Sequence, residues 1–194
     1  MAVGTAQDWL HPPTDGWTVD DLETLPDDGY RRELIDGVLH MSPSPTRDHQ
    51  HVASRLWTAL DATCPDDYDV TQGVEVRINR HNSLIPDVLV TTAEAAARNP
   101  SYYRPDEVLL VVEVVSPGSK VTDRATKPAM YAEAGIPAYW RVETDPALVV
   151  HTYRLDAPRG GYEAPASHGE VVAVTDPWPI ALSISAIAPR SLPG

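Results

Sequence analysis

The sequence predicts an α/β chain of mixed α+β type: a mixed β-sheet flanked by helices, with an additional β-hairpin region. Three observations predict it. Val108 to Val115 is apolar except for Glu113, the pattern of a strand buried on both faces. A Ser116-Pro117-Gly118-Ser119 break, a polar segment closed by Gly135, and a second apolar run from Ala138 to Glu143 follow it, which reads as strand, helix, strand. Upstream, stretches of alternating polarity read as strands with one face turned inward.

Taken in order, residues 1–17 form an N-terminal arm. Thr18 with Asp21 resembles a capping box, and Trp17 with Leu22 a hydrophobic staple, for a short helix from Val19 to about Leu25. Tyr30 to Met41 reads as a hairpin turning at Asp36-Gly37. On it Glu33 is opposite in face to Leu34, either a solvated strand glutamate or an acid of a site. Thr46 or Asp48 caps a helix running to about Ala62. His49 continues the stripe of Val52, Ala53, Leu56 and Leu60, whereas His51 points about 200° away. His49 is therefore either a core histidine or a site residue.

Tyr68 to Ile78 alternates as one strand, with Val70, Gln72, Val74, Val76 and Ile78 on one face. Leu84 to Thr91 is the next, with Pro86 marking a bulge or a strand start. Asp87 shares the face of Ile85 and Leu89, an unusual place for an aspartate. Ala93 to Arg98 is a short helix. Beyond the central unit, strands are expected over Leu148 to Leu155, Tyr162 to Val174 and Trp178 to Ile187. No repeat or second domain interrupts residues 18–188, and 189–194 read as a tail.

The 194 residues suffice for one domain with a substantial core, which lacks Phe and draws on Trp, Tyr, Val and Leu. A net charge of −13 argues against a broad basic nucleic-acid surface. It leaves room for a local basic pocket or a metal bridging acids to phosphate. The single cysteine, Cys64, excludes an internal disulfide and a thiolate-rich metal site. No signal-peptide pattern or membrane-length apolar run is present, so a cytoplasmic location is expected.

Burying an unpaired carboxylate costs several kcal/mol, so Asp87 and Glu113 call for a cation, a metal or dense hydrogen-bond donors. Hard divalent ions such as Mg²⁺ take one or two protein carboxylates plus water and substrate phosphate, polarise a phosphoryl oxygen and lower the pKa of bound water. A nearby ammonium then positions the nucleophile or stabilises added charge. Acid, acid and base follow in that order along the chain.

Ile85-Pro86-Asp87-Val88, Val112-Glu113-Val114-Val115-Ser116, Asp123-Arg124 with Lys127 and Tyr131, and Gly135-Ile136-Pro137-Ala138-Tyr139-Trp140 together resemble a bacterial family of restriction endonucleases in the PD-(D/E)xK nuclease superfamily. Tyr30 to Gly37 and Ser42-Pro43 to His49 are similar too, so the resemblance spans about residues 18–188. It implies a restriction endonuclease-like core and a Mg²⁺- or Mn²⁺-dependent endonuclease acting on nucleic acid, DNA first. By resemblance the metal ligands are Asp87, Glu113 and the backbone carbonyl of Val114. The superfamily lysine falls on Val115, so the resemblance displaces that role to Lys127 on the following helix. Glu33 and His49 match further family positions, and superfamily analogy implies a homodimer.

Pro128 leaves two readings of Lys127. A helix starting near Thr122 puts it at a kink, and one starting at Thr126 or Lys127 leaves the proline harmless in the first turn; Lys120 and Arg124 are its substitutes. Two other functions compete: a nuclease-fold module that binds nucleic acid or protein without cutting, and a structural acid pair bridged to Arg104, Arg124 or Arg141.

Overall fold

A computed structural model describes residues 12–26, 28–42 and 44–190. Residues 1–11 of the expected arm and 191–194 of the expected tail lie outside the described residues. The short helix α1 (Val19–Leu22) has the expected capping box, with Thr18 and Asp21 bonding reciprocally; it stops short of Leu25. The hairpin is β1 (Arg31–Ile35) and β2 (Val38–Ser42), paired from Arg31 opposite Ser42 to Ile35 opposite Val38. Asp36 and Gly37 both take positive φ, 50° and 73°, as a two-residue hairpin turn matched to strand twist requires. Helix α2 (Arg47–Asp61) is capped by Thr46 and buries Val52, Ala53, Leu56 and Leu60.

The single strand expected over Tyr68 to Ile78 is two strands in two sheets: β3 (Tyr68–Thr71) and β4 (Glu75–Asn79). Gly73, at φ 64°, turns the chain between them. The expected Leu84–Thr91 strand divides likewise, into β5 (Asn82–Leu84) and β6 (Val88–Thr92), because Pro86 has no N–H to give a ladder. Helix α3 (Ala93–Ala97), β7 (Tyr102–Tyr103) and β8 (Val108–Val114) follow. After them come α4 (Lys127–Glu133), β9 (Ala138–Glu143) and β10 (Val149–Asp156). The chain closes with β11 (Gly161–Tyr162), β12 (Ala166–His168), β13 (Val171–Val174), β14 (Ile180–Ser183) and α5 (Ile184–Ile187).

The main sheet runs β11-β10-β9-β8-β6-β3, with β12 also on β10; a smaller sheet runs β2-β1-β5-β4-β7, and β13 pairs β14. Only β8 with β9 and β4 with β7 are parallel among the described pairs, so the sheets are mixed as expected. The period-2 pleat of β8 divides the interior. Leu110, Val112 and Val114 join one core with α2, Trp140 and α5. Val111, and Val108 beyond a shift of register at Leu109, join a second core with Leu84, Leu89, Tyr131 and Tyr139, between the two sheets and α4. Among the described residues no helix is long and apolar enough to cross a membrane.

The hairpin turn is a packing joint as well as a turn. Gly37 gives its N–H to the His81 carbonyl and accepts from the Trp17 N–H at 2.7 Å. A Cβ on Gly37 would lie 3.3 Å from Gly16 Cα and 3.4 Å from the Trp17 carbonyl. Gly37→Ala is therefore expected to cost about 1–3 kcal/mol, from left-handed strain and crowding together. Urea denaturation checks it, and a loss within about 0.5 kcal/mol, typical of an ordinary surface change, would contradict it.

Candidate active site

The pleat that divides the core also builds the site. In the antiparallel β6–β8 pair, Val88 faces Val112 and Leu89 faces Val111. Continuing that register by one residue sets Asp87 opposite Glu113, on the same face as Leu89 and Val111. Both acids thus point between the two sheets, at the end of the second core. Neither is solvated: Glu113 is 2% exposed and Asp87 7%.

Asp87 is held from three directions. Its Oδ1 accepts from Arg31 Nη1 at 2.9 Å, and its Oδ2 accepts from the Val114 N–H at 2.8 Å. His49 Nε2 lies 3.1 Å from the same Oδ2. Arg31 arrives because β1 alternates, so Arg31, Glu33 and Ile35 share one face. His49 arrives because Thr46 starts α2 three residues before it. Glu113 Oε1 accepts from Lys127 Nζ at 3.0 Å and from the Tyr131 hydroxyl at 2.9 Å. Tyr131 is one helical turn beyond Lys127, so α4 brings both donors to one oxygen.

Lys127 gains its place from an irregular helix. Residues Thr122–Thr126 are wound as a π-helix, with the Lys127 N–H donating to the Thr122 carbonyl, and α4 starts at Lys127 with Pro128 in its first turn. The wide turn absorbs the proline, which has no N–H of its own to bond back. Asp123, four residues before Lys127 and so on the same face, is 1% exposed, and its Oδ1 is 3.6 Å from Lys127 Nζ. Glu33 completes the set: its Oε1 accepts from Lys127 Nζ at 3.0 Å and from the Ile85 N–H at 2.8 Å.

These side chains line one cavity of about 530 Å³. Asp87, Glu113, Lys127, Glu33, His49 and Val114 all border it. Of the expected residues, Lys120 and Arg124 go elsewhere: Lys120 reaches Asp145 at 3.4 Å, and Arg124 makes two 2.9 Å bonds to Glu143. Arg141 also pairs Glu143, and Arg104 pairs Asp106 and Glu107, so none of the three arginines weighed as partners touches Asp87 or Glu113. Arg31 pairs Asp87 instead. Sequence reasoning did not single out Arg31 as a site residue, although it shares strand parity with Glu33. Asp123, four residues before Lys127, was visible only as a family position. A larger cavity of about 670 Å³, lined by Trp140, Tyr153, Arg154 and Glu163 among others, holds an exposed Arg154–Glu163 pair. It holds none of the buried acids that line the smaller cavity.

Burial and charge drive the two facing acids apart. Burial pushes Asp87 up, but the His49 hydrogen bond, the Arg31 charge and the Val114 N–H outweigh it and hold it at about 2. Burial raises Glu113 to about 8, because Lys127 only partly offsets it and Asp123, Asp87 and Glu33 add repulsion. Burial and the neighbouring acids raise Asp123 as well. Burial pulls Lys127 down, yet Glu113, Glu33 and Asp123 together carry it well above an ordinary lysine. Lys127 is thus an ammonium and a donor, not a base. The two facing acids are thus set apart by their surroundings, Asp87 held below and Glu113 raised above the ordinary carboxylate range.

The fold and site define a restriction endonuclease-like α/β protein with a buried carboxylate pair and a lysine. The chain belongs to the Uma2 family, described as "Putative restriction endonuclease", whose model matches residues 19–187. Its fold is also similar to the crystal structure of "a putative nuclease belonging to DUF820" from Anabaena variabilis ATCC 29413. The two share 17% identity and a TM-score of 0.71, over 88% of this chain and 96% of that one. No curated protein matches the chain.

Proposed function

We propose that the chain is a Mg²⁺- or Mn²⁺-dependent endonuclease that hydrolyses phosphodiester bonds of DNA at the Asp87–Glu113 cavity. The observation that carries this reading is the facing acid pair, with an ammonium 3.0 Å from Glu113. Charge supports a hard divalent ion there. Four buried acids, Asp87, Glu113, Glu33 and Asp123, face two cations, Arg31 and Lys127, an excess that one such ion would cancel. Among the described residues no three His, Cys, Asp or Glu side chains converge tightly enough to hold an ion as they stand. Asp87 and Glu113 would hold the ion, with the Val114 carbonyl as a further oxygen. When bound, it would polarise the phosphoryl group and acidify water.

The chain's own residues divide the remaining work. Arg31 and His49 fix the Asp87 carboxylate in one orientation. Glu33 anchors Lys127, whose ammonium donates to the attacking water or to a phosphate oxygen as charge grows. Tyr131 holds Glu113. Ser42, Ser44, Thr46, Ser116, Ser119 and Thr122 ring the cavity and offer neutral donors to phosphate, which suits a chain of net charge −13.

The test compares wild type with Asp87→Asn on supercoiled and single-stranded DNA, with Mn²⁺ and with chelator. Wild type should cut, chelator should stop it, and Asp87→Asn should lose about a hundredfold or more. DNA binding without cutting by wild type would favour the non-catalytic module, to which the Arg31–Asp87 pair would then belong.

A further inference from the structure

The least explained feature of the cavity is the surrounding of Lys127 Nζ. Three carboxylates from three elements converge on it: Glu33 of β1 and Glu113 of β8 at 3.0 Å each, and Asp123 of the π-helical turn at 3.6 Å. Three carboxylates can meet the three N–H donors of an ammonium, but they set three acids against a single positive charge, which is the composition of an oxygen cage for a cation of higher charge. Asp123 is the telling member. Its Oδ1 is buried, borders the cavity and has no hydrogen-bond partner among the described residues. A buried carboxylate oxygen with no donor is costly unless a cation sits near it.

The distances say which cation fits now. Radii of 3.0 to 3.6 Å suit a hydrogen-bonding ammonium, whereas Mg²⁺ draws its oxygens to about 2.0–2.1 Å. The cage is about 1 Å too wide for a metal while Lys127 fills it. Asp87 stands apart from it, held by Arg31, His49 and the Val114 N–H.

We propose that the Lys127 ammonium permanently fills the place of a second cation, so that the chain binds one divalent ion and Glu33, Glu113 and Asp123 form a latent second site. This rests on the reading of Asp87 and Glu113 as holders of the first ion. Removing the ammonium leaves three acids free to contract around a metal.

The experiment counts Mn²⁺ bound per folded chain, by the loss of the free-ion EPR signal, and follows melting temperature in parallel. Wild type should bind one ion, Lys127→Met two, and Lys127→Met with Asp123→Asn one again. Asp123→Asn alone should keep one ion, weakened by no more than about 10–100-fold, since Asp123 acts through Lys127. Two ions in wild type, or one in folded Lys127→Met, would overturn the proposal, as would a greater loss in Asp123→Asn, which would make that acid a ligand of the resident ion. No ion in wild type would remove the metal reading itself. Should Lys127→Met not fold even with Mn²⁺, the wild-type count and the Asp123→Asn affinity decide.

Discussion

Lys127→Ala is expected to lose about 3–5 kcal/mol of folding stability at pH 8, the usual result of deleting one side of a buried ion pair. Lys127 is 4% exposed and is the direct partner of Glu33 and Glu113. Without it, three buried carboxylates repel one another in a poorly screened space. The variant has one remedy, which is to bind protons. Glu113 and Asp123 already lie above their ordinary values, and losing the ammonium that offsets this raises them further. Between pH 5 and 8 the native state of the variant therefore holds more protons than its unfolded state, and its stability must fall as pH rises. The loss relative to wild type should shrink clearly at pH 5.5. Urea denaturation at both pH values decides. A loss under about 1 kcal/mol at pH 8, the worth of a surface pair, would mean that Lys127 is solvated and not built in.

The residues that proved legible in the sequence share one property: burial contradicts their chemistry. Glu113 stands out because its neighbours are Val and Leu, and Asp87 because period-2 alternation puts it with Leu89. Both signs lie in the sequence itself, and the facing register of β6 and β8 explains why they mark one pair. Alternation was blind to changes of sheet. Val70, Gln72, Val74 and Val76 keep one parity through Gly73, but that glycine's positive φ sends the chain into another sheet. Arg31 was hidden because an arginine at a strand start carries no local sign of a partner 56 residues away. Asp123 was hidden for another reason. It sits one helical turn before Lys127 and so shares its face, but Thr122-Asp123-Arg124-Ala125-Thr126 carries no apolar stripe to mark which face is turned inward.

Glu113 predicts a pH profile with a definite sign. Its folded pKa, about 8, is above the ordinary 4.5, so its stabilising contribution is complete below pH 4.5 and lost as pH rises through 8. Asp87, lowered from 3.8 to about 2, has the opposite sign: its contribution is present above 3.8 and lost as pH falls through 2. In chelator, wild type should therefore lose on the order of a few kcal/mol between pH 5 and 8.5, and Glu113→Gln should flatten that decline because nothing is left to ionise there. Mn²⁺ should raise the melting temperature more at pH 8 than at pH 5.5, since at the lower pH it must displace a proton from Glu113 to bind. Scanning calorimetry across that range, with and without Mn²⁺, separates the terms. An unchanged decline in Glu113→Gln would assign the titration to another group. A decline confined to wild type and reversed by Mn²⁺ would show that proton and metal compete for one carboxylate, which is the property a hydrolytic site needs if it is to stay folded while waiting for its ion.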